Sequence, residues 1–129
     1  MRNPTIKSIL EDEELSEEQI ERFVGLFLQS VKDGTWKSQG WPEIWTDYAV
    51  SKLALNAYTM VLAKRYEGEG ISVNSYCPGF TQTSMTQGQG SHTADEAADV
   101  GARLLLLHPQ QLPTAKFYIG LDPFVKSNL

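Results

Sequence analysis

The residues of this chain best placed for chemistry are Tyr48 and Lys52, in the run Tyr48-Ala49-Val50-Ser51-Lys52. On a helix, positions four apart share a face. A phenol that ionises at about pH 10 is a poor base at neutral pH. An ammonium group beside it stabilises the phenolate, so such a pair can pass a proton to, or take one from, a carbonyl or alcohol oxygen. Taken alone, the spacing equally suits an amphipathic helix with a surface lysine. Other candidates are weaker. His92 and His108 lie far apart, without a cysteine pair or an HExxH run, so no metal site is expected. Nothing else supports Cys77 and His92 as a nucleophile pair, and a lone buried cysteine is the expectation for Cys77. Gly88-Gln89-Gly90 starts like a dinucleotide fingerprint, but Thr93 stands where the third glycine belongs and no strand directly precedes it. A flexible loop is the better reading.

The elements that must position Tyr48 and Lys52 follow from periodicity. Residues 5–14 read as a weak helix or turn. Ser16 is a good N-cap with Gln19 three residues on, and Leu15 can staple onto Ile20. Ile20, Phe23, Val24, Phe27, Leu28 and Val31 then recur at helical spacing until Gly34. The acidic residues around its start suit a solvated face that complements the helix dipole. Residues 37–46 form a loop with Gly40, Pro42, Trp41 and Trp45. Its tryptophans either line a ligand pocket or anchor the loop on the core. A long helix over 47–66 carries the proton-transfer pair and buries Val50, Leu53, Ala54, Ala57, Tyr58 and Val61. Residues 71–77 alternate as a strand, which Pro78-Gly79 stops. Residues 80–91 are polar and Gly-rich, which predicts a mobile loop. Thr93 and Glu96 form a second capping box, opening a helix that ends before Pro109. Phe117-Tyr118-Ile119 is a terminal strand. Strand, helical crossover, strand is the order of a parallel sheet.

Composition sets the outer limits. A chain of 129 residues suits one small domain, able to bury roughly two-thirds of its unfolded surface. With 10% aromatic and only 21% charged residues, it has the means to fold. A net charge of −5 argues against a nucleic-acid surface, which needs a basic stripe. A single cysteine forms no internal disulfide. No apolar run reaches the roughly 18 residues of a membrane span, and residues 1–6 lack the apolar core of a secretory signal. These features lead to the expectation of a soluble protein of the cytoplasm. The terminal Ser127-Asn128-Leu129 is a degenerate form of a peroxisomal address, a weaker alternative.

The motifs in order carry more than any one of them. Tyr48-xxx-Lys52 on a long helix, then a strand, then Pro78-Gly79-Phe80-Thr81-Gln82-Thr83 resembles the C-terminal half of the short-chain dehydrogenase/reductase family. Gly40-Trp41-Pro42, Asn56-Ala57-Tyr58 and Thr93-Ala94-Asp95-Glu96-Ala97-Ala98 resemble its carbonyl reductase branch, which includes salutaridine reductases and menthol-type dehydrogenases. The resemblance implies an α/β fold: the C-terminal portion of a Rossmann-like doubly wound parallel sheet, incomplete, with an N-terminal helical insertion. Residues 1–129 then form a single partial domain. Its parts are an insertion and loop over the substrate pocket (5–45), the second half of the core (46–120) and a tail (121–129).

The resemblance also implies roles. Tyr48 is the acid that protonates a ketone or aldehyde oxygen, and Lys52 eases its ionisation and holds the nicotinamide ribose. Pro78 and Gly79 pass beneath the nicotinamide. The Thr81 amide and Thr83 hydroxyl meet the carboxamide or phosphate side of the cofactor. NADPH is the expected cofactor, a small-molecule carbonyl compound the expected substrate, and a monomer the expected state of the full-length form. Trp41, Trp45, Phe80 and Met85 either line the pocket or pack plainly. The family's Gly-rich turn and carbonyl-polarising serine are not in this sequence; Thr35 and Ser38 are not expected to replace that serine. Two expectations follow: the chain belongs to a longer NADPH-dependent reductase, or it is a catalytically inactive fragment that binds a protein partner through exposed sheet edges.

Overall fold

The computed structural model describes residues 8–9, 12, 14–108, 113–120 and 126–127. The chain divides into two compact units, Met1–Leu62 and Ala63–Leu129. Most of the expected 5–14 helix, much of the tail and the terminal Asn128-Leu129 lie outside the described residues.

The first unit is built on α1 (Glu17–Lys32) and all but the last turn of α2 (Thr46–Arg65). The expected capping box forms: the Gln19 amide donates to the Ser16 hydroxyl, and the Gln19 side chain accepts from the Ser16 N–H. Two otherwise orphaned donors are thereby satisfied. The staple forms as well, since Leu15 and Ile20 share a buried cluster with Ala57. Ile20, Phe23, Phe27 and Ser30 make the buried stripe of α1, while Leu28 and Val31 stay exposed. The Ser30 hydroxyl is satisfied within the helix by donating to the Phe27 carbonyl at 2.7 Å. The main cluster joins Phe23 and Phe27 to Trp41 and Val50.

Helix α2 is within one residue of its expected span at each end. Val50 and Ala57 are buried and Leu53, Ala54 and Val61 half-buried, but Tyr58 is exposed. Leu55 and Met60 are exposed too, so this helix carries apolar side chains on more than one face. A helix apolar on several sides is characteristic of one enclosed within a larger body.

The second unit holds β1 (Ser75–Cys77), α3 (Ala94–Leu106), β2 (Phe117–Ile119) and β3 (Lys126–Ser127). Strands β1 and β2 are parallel, with Tyr76 opposite Tyr118, and β3 runs antiparallel to β2. The crossover from β1 to β2 passes through α3, as parallel strands require. Two expectations change here. The ladder covers only the end of the expected 71–77 strand, because side chains take part of the bonding before it. The Asn74 amide oxygen takes the Lys116 N–H at 2.9 Å, and the Thr114 hydroxyl takes the Val73 N–H at 3.0 Å. Such side-chain bonds compete with a ladder. Strand β3 falls within the segment expected to be a tail.

Phe23→Ala should destabilise the chain by about 3–5 kcal/mol, the usual cost of emptying a core phenylalanine site. Leu28→Ala, on the exposed side of the same helix, should change stability by less than about 0.5 kcal/mol. Urea unfolding of both variants checks the assignment of faces.

Candidate functional site

Helix α2 opens on an unusual turn. The Thr46 hydroxyl donates to the Pro42 carbonyl at 2.7 Å, tying the preceding loop to the helix. Trp45 sits just ahead of the helix at φ 54, and its carbonyl accepts from the Ala49 N–H at 2.7 Å. A bulky residue in left-handed backbone stores about 1–3 kcal/mol of strain. Its indole stands edge-on to Tyr48, with ring centroids 6.1 Å apart. The Lys52 ammonium lies 5.5 Å from the Tyr48 ring centroid, within cation–π reach. Trp45 is 74% and Tyr48 54% exposed. One exposed patch therefore gathers a phenol, an ammonium and an indole.

The two loop tryptophans differ sharply. Trp41 is 3% exposed. Its ring lies 5.5 Å from Phe23 and 5.0 Å from Phe27, edge-on to the latter. This is the anchoring arrangement. The Trp41 indole N–H is buried without a hydrogen-bond partner among the described residues.

In the second unit, Pro78 and Gly79 follow directly on β1. Gly79 has φ +88, and a Cβ there would come within 3.3 Å of the His92 imidazole. Residues 80–91, expected to be mobile, form instead a loop closed by hydrogen bonds. Its neck is fastened by the Ser91 N–H on the Phe80 carbonyl at 2.8 Å and the Gln82 N–H on the His92 carbonyl at 2.7 Å. The Gln82 side chain adds a bond to the Gly90 carbonyl at 3.1 Å. Gly90, at φ +154, passes so close that a Cβ would lie 2.6 Å from both Gln82 N and the Thr81 carbonyl carbon. The glycines of Gly88-Gln89-Gly90 thus serve loop closure. Thr81 donates its hydroxyl to the Gly79 carbonyl at 3.2 Å. Phe80, Thr83 and Met85 are exposed on this loop. Thr86 carries no sequence motif, yet its half-buried hydroxyl lies at the centre of the loop's bonding.

The loop leads into α3 through its capping box. The Glu96 carboxylate accepts from the Thr93 N–H at 2.8 Å, and the Glu96 N–H donates to the Thr93 hydroxyl at 3.2 Å. The Thr93 N–H, then the Thr93 hydroxyl and finally His92 hold the Glu96 carboxyl below its ordinary range. Behind the helix, the Tyr76 hydroxyl donates to the Ala97 carbonyl at 3.3 Å. Burial, with a smaller contribution from Cys77, pushes the Tyr76 phenol up. A cavity of about 290 Å³ lies between α3 and the strands, lined by Tyr76, Leu104, Leu105 and Tyr118 among others. None of the expected cofactor or pocket residues lines it. Asn74 borders it, and its amide nitrogen is buried without a partner among the described residues.

Tyr48 and Lys52 belong to the first unit, and Pro78, Gly79, Phe80, Thr81, Thr83 and Met85 to the second. Among the described residues, no group of three or more His, Cys, Asp or Glu side chains could hold a metal ion. Nor, among them, is any helix long and apolar enough to cross a membrane.

Comparison with known proteins converges on one family. The short chain dehydrogenase profile matches residues 37–94. The chain is 39% identical over 117 residues to (+)-neomenthol dehydrogenase of Arabidopsis thaliana, covering 90% of this chain and 39% of that protein. It is 27% identical over 111 residues to carbonyl reductase (NADPH) 1 of Oryctolagus cuniculus, covering 83% of this chain and 39% of that protein. The solved structure of salutaridine reductase from Papaver somniferum superposes with a TM-score of 0.80 at 36% identity, covering 91% of this chain and 39% of that one. Over most of its length the chain is similar to members of the short-chain dehydrogenase/reductase family. Its α/β order and parallel β1–β2 pair are part of the Rossmann-like fold. It spans about two-fifths of the length of these relatives.

Two outcomes test the geometry of the second unit. Gly90→Ala should destabilise that unit by roughly 1–3 kcal/mol, the range for forcing extra atoms into filled space; a thermal melt unchanged from wild type would contradict the close approach. The Glu96 cap has a definite pH sign, because its carboxyl is held low in the folded state. Its stabilisation is present above the ordinary glutamate range and is lost as pH falls through the depressed folded value. Amide exchange at the start of α3 should quicken over that fall in wild type, and Glu96→Gln should flatten the response.

Proposed function

We propose that this chain supplies the proton-transfer and nicotinamide-facing part of an NADPH-dependent reductase that converts a small ketone or aldehyde to an alcohol. The observation that carries this reading is the exposed patch at the start of α2, with the Lys52 ammonium 5.5 Å from the Tyr48 ring centroid. Tyr48 gives the proton of its hydroxyl to the carbonyl oxygen, and the adjacent ammonium favours the phenolate left behind. Lys52 would also hold the ribose of the cofactor's nicotinamide half.

The residues present fit the nicotinamide end of the cofactor. Gly79 leaves its backbone uncovered by a side chain, and Thr83 is exposed on a loop that is already closed. Pro78, Gly79, the Thr81 amide and the Thr83 hydroxyl would hold that end; NADPH, when bound, supplies the hydride. The similarity to carbonyl reductase (NADPH) 1 of Oryctolagus cuniculus supports NADPH as the form of the cofactor. Trp45, Phe80 and Met85 are proposed as apolar walls for the substrate, and Trp41 as the anchor of the loop that carries Trp45. The setting proposed is the cytosol, with the complete protein a monomer.

A second reading has its own support. Leu105 and Leu106 are 84% and 85% exposed, and β1 has β2 as its only strand neighbour among the described residues. Open strand edges and apolar patches invite a partner. A non-catalytic chain acting through that surface would need no proton donor.

Joining this chain to the N-terminal part of the Arabidopsis relative and following NADPH oxidation by a cyclic ketone separates the readings. The joined protein should be active, and Tyr48→Phe should lower kcat by about 10²–10⁴-fold, the range for a lost general acid, with an unchanged melting temperature. A folded but inactive joined protein, or an active Tyr48→Phe variant, would overturn the reductase reading.

A further inference from the structure

We propose that Thr86 is the positioning residue of the nicotinamide-facing loop, holding Thr83 so that its hydroxyl faces outward to a hydrogen-bond acceptor of the cofactor. The inference deepens the reductase reading and rests on it for the identity of the ligand.

The neck of the loop fixes residues 80–82 against 90–92. The tip turns back on itself: the Thr86 N–H and the Gly88 N–H both donate to the Thr83 carbonyl, at 3.2 and 2.9 Å, and the Gln89 N–H donates to the Thr86 carbonyl at 3.0 Å. A direct bond from tip to neck is made by Thr86. Its hydroxyl donates to the Thr81 carbonyl at 2.9 Å, with the Thr83 carbonyl sharing the proton at 3.1 Å. The same oxygen accepts from the Thr83 N–H at 2.9 Å.

A hydroxyl has one proton and two lone pairs. The Thr86 proton is therefore committed to backbone carbonyls, and one lone pair to the Thr83 amide. The Thr83 hydroxyl stands 3.5 Å from Thr86, beyond the ~2.5–3.0 Å of a good O–H···O bond. Its proton remains available to an incoming oxygen. Burial sorts the two threonines in the same way: Thr86 is half-buried and Thr83 exposed. One threonine is spent on the loop and the other is presented by it. A valine at 86 would keep the shape and remove every one of these bonds; a serine would keep the bonds.

The test uses the isotopically labelled 129-residue chain. Amide exchange at Thr83 and the shifts that reduced nicotinamide mononucleotide induces at Thr81 and Thr83 are measured in wild type, Thr86→Val and Thr86→Ser. Thr83 exchange should quicken about tenfold in Thr86→Val, the equivalent of one hydrogen bond, and return to the wild-type rate in Thr86→Ser. The nucleotide-induced shifts should vanish in the valine variant and persist in the serine variant. Unchanged resonances of Phe23 and Val100 show that the valine variant is folded; if they are lost, Thr86→Ala takes its place. Wild-type exchange at Thr83 in the valine or alanine variant, or no rescue by serine, overturns the proposal. Absence of nucleotide shifts in wild type overturns the presentation of Thr83 to a nicotinamide and the cofactor reading with it, while the exchange rates still decide whether Thr86 holds the loop.

Discussion

The candidate site depends first on how α2 is rotated, and Val50 fixes that rotation. Its side chain is buried in the cluster formed by Phe23, Phe27 and Trp41. Successive helical residues are about 100° apart, so Tyr48 and Lys52, two positions either side of Val50, both point about 160° away from it. Burying Val50 therefore turns the phenol and the ammonium outward together. The burial of Trp41 and the bond from Thr46 to Pro42 secure the loop that leads into the helix. The same loop leaves Trp45 in left-handed backbone beside Tyr48. Strain held at such a place is characteristic of sites where a side chain is aimed. The packing of α1 thus reaches the proposed chemistry through a single apolar contact.

The second unit solves a different problem with different means. A loop rich in glycine and threonine must keep one shape although it buries little apolar surface. It does so with backbone bonds at the neck, a glycine where the chains cross, and a threonine hydroxyl between tip and neck. The capping box of α3 begins immediately after the neck, so His92, Thr93 and Glu96 link loop closure to the helix start. Elsewhere in this unit lie features of unfinished packing: the exposed Leu105 and Leu106, the Asn74 amide nitrogen without a partner among the described residues, and the cavity beside it. They agree with a chain that spans about two-fifths of its relatives.

Much of this was legible in the sequence because it rests on local rules. Ser16 with Gln19 and Thr93 with Glu96 announce helix starts through bonds made within four residues. The spacing of Tyr48 and Lys52 places them on one helix face without knowledge of the fold. What was not legible depends on distant partners. Nothing local shows that Trp41 faces Phe23 and Phe27 while Trp45 faces solvent. The shortened β1 follows from Asn74 meeting Lys116, far away in the chain. Composition predicts a mobile loop over 80–91 because it records glycine content and not the hydrogen bonds that glycine permits. Thr86 was invisible for the same reason, since its role exists only once Thr81 and Thr83 fold around it.

The central claim proposed is that Tyr48 and Lys52, turned outward together by the burial of Val50, act as one proton-transfer unit. It is tested most directly by a double-mutant cycle in this chain joined to a relative's nucleotide-binding part, comparing kcat for Tyr48→Phe, Lys52→Met and the pair. The account predicts that the double variant loses little more than Tyr48→Phe alone. Losses that simply multiply would contradict it.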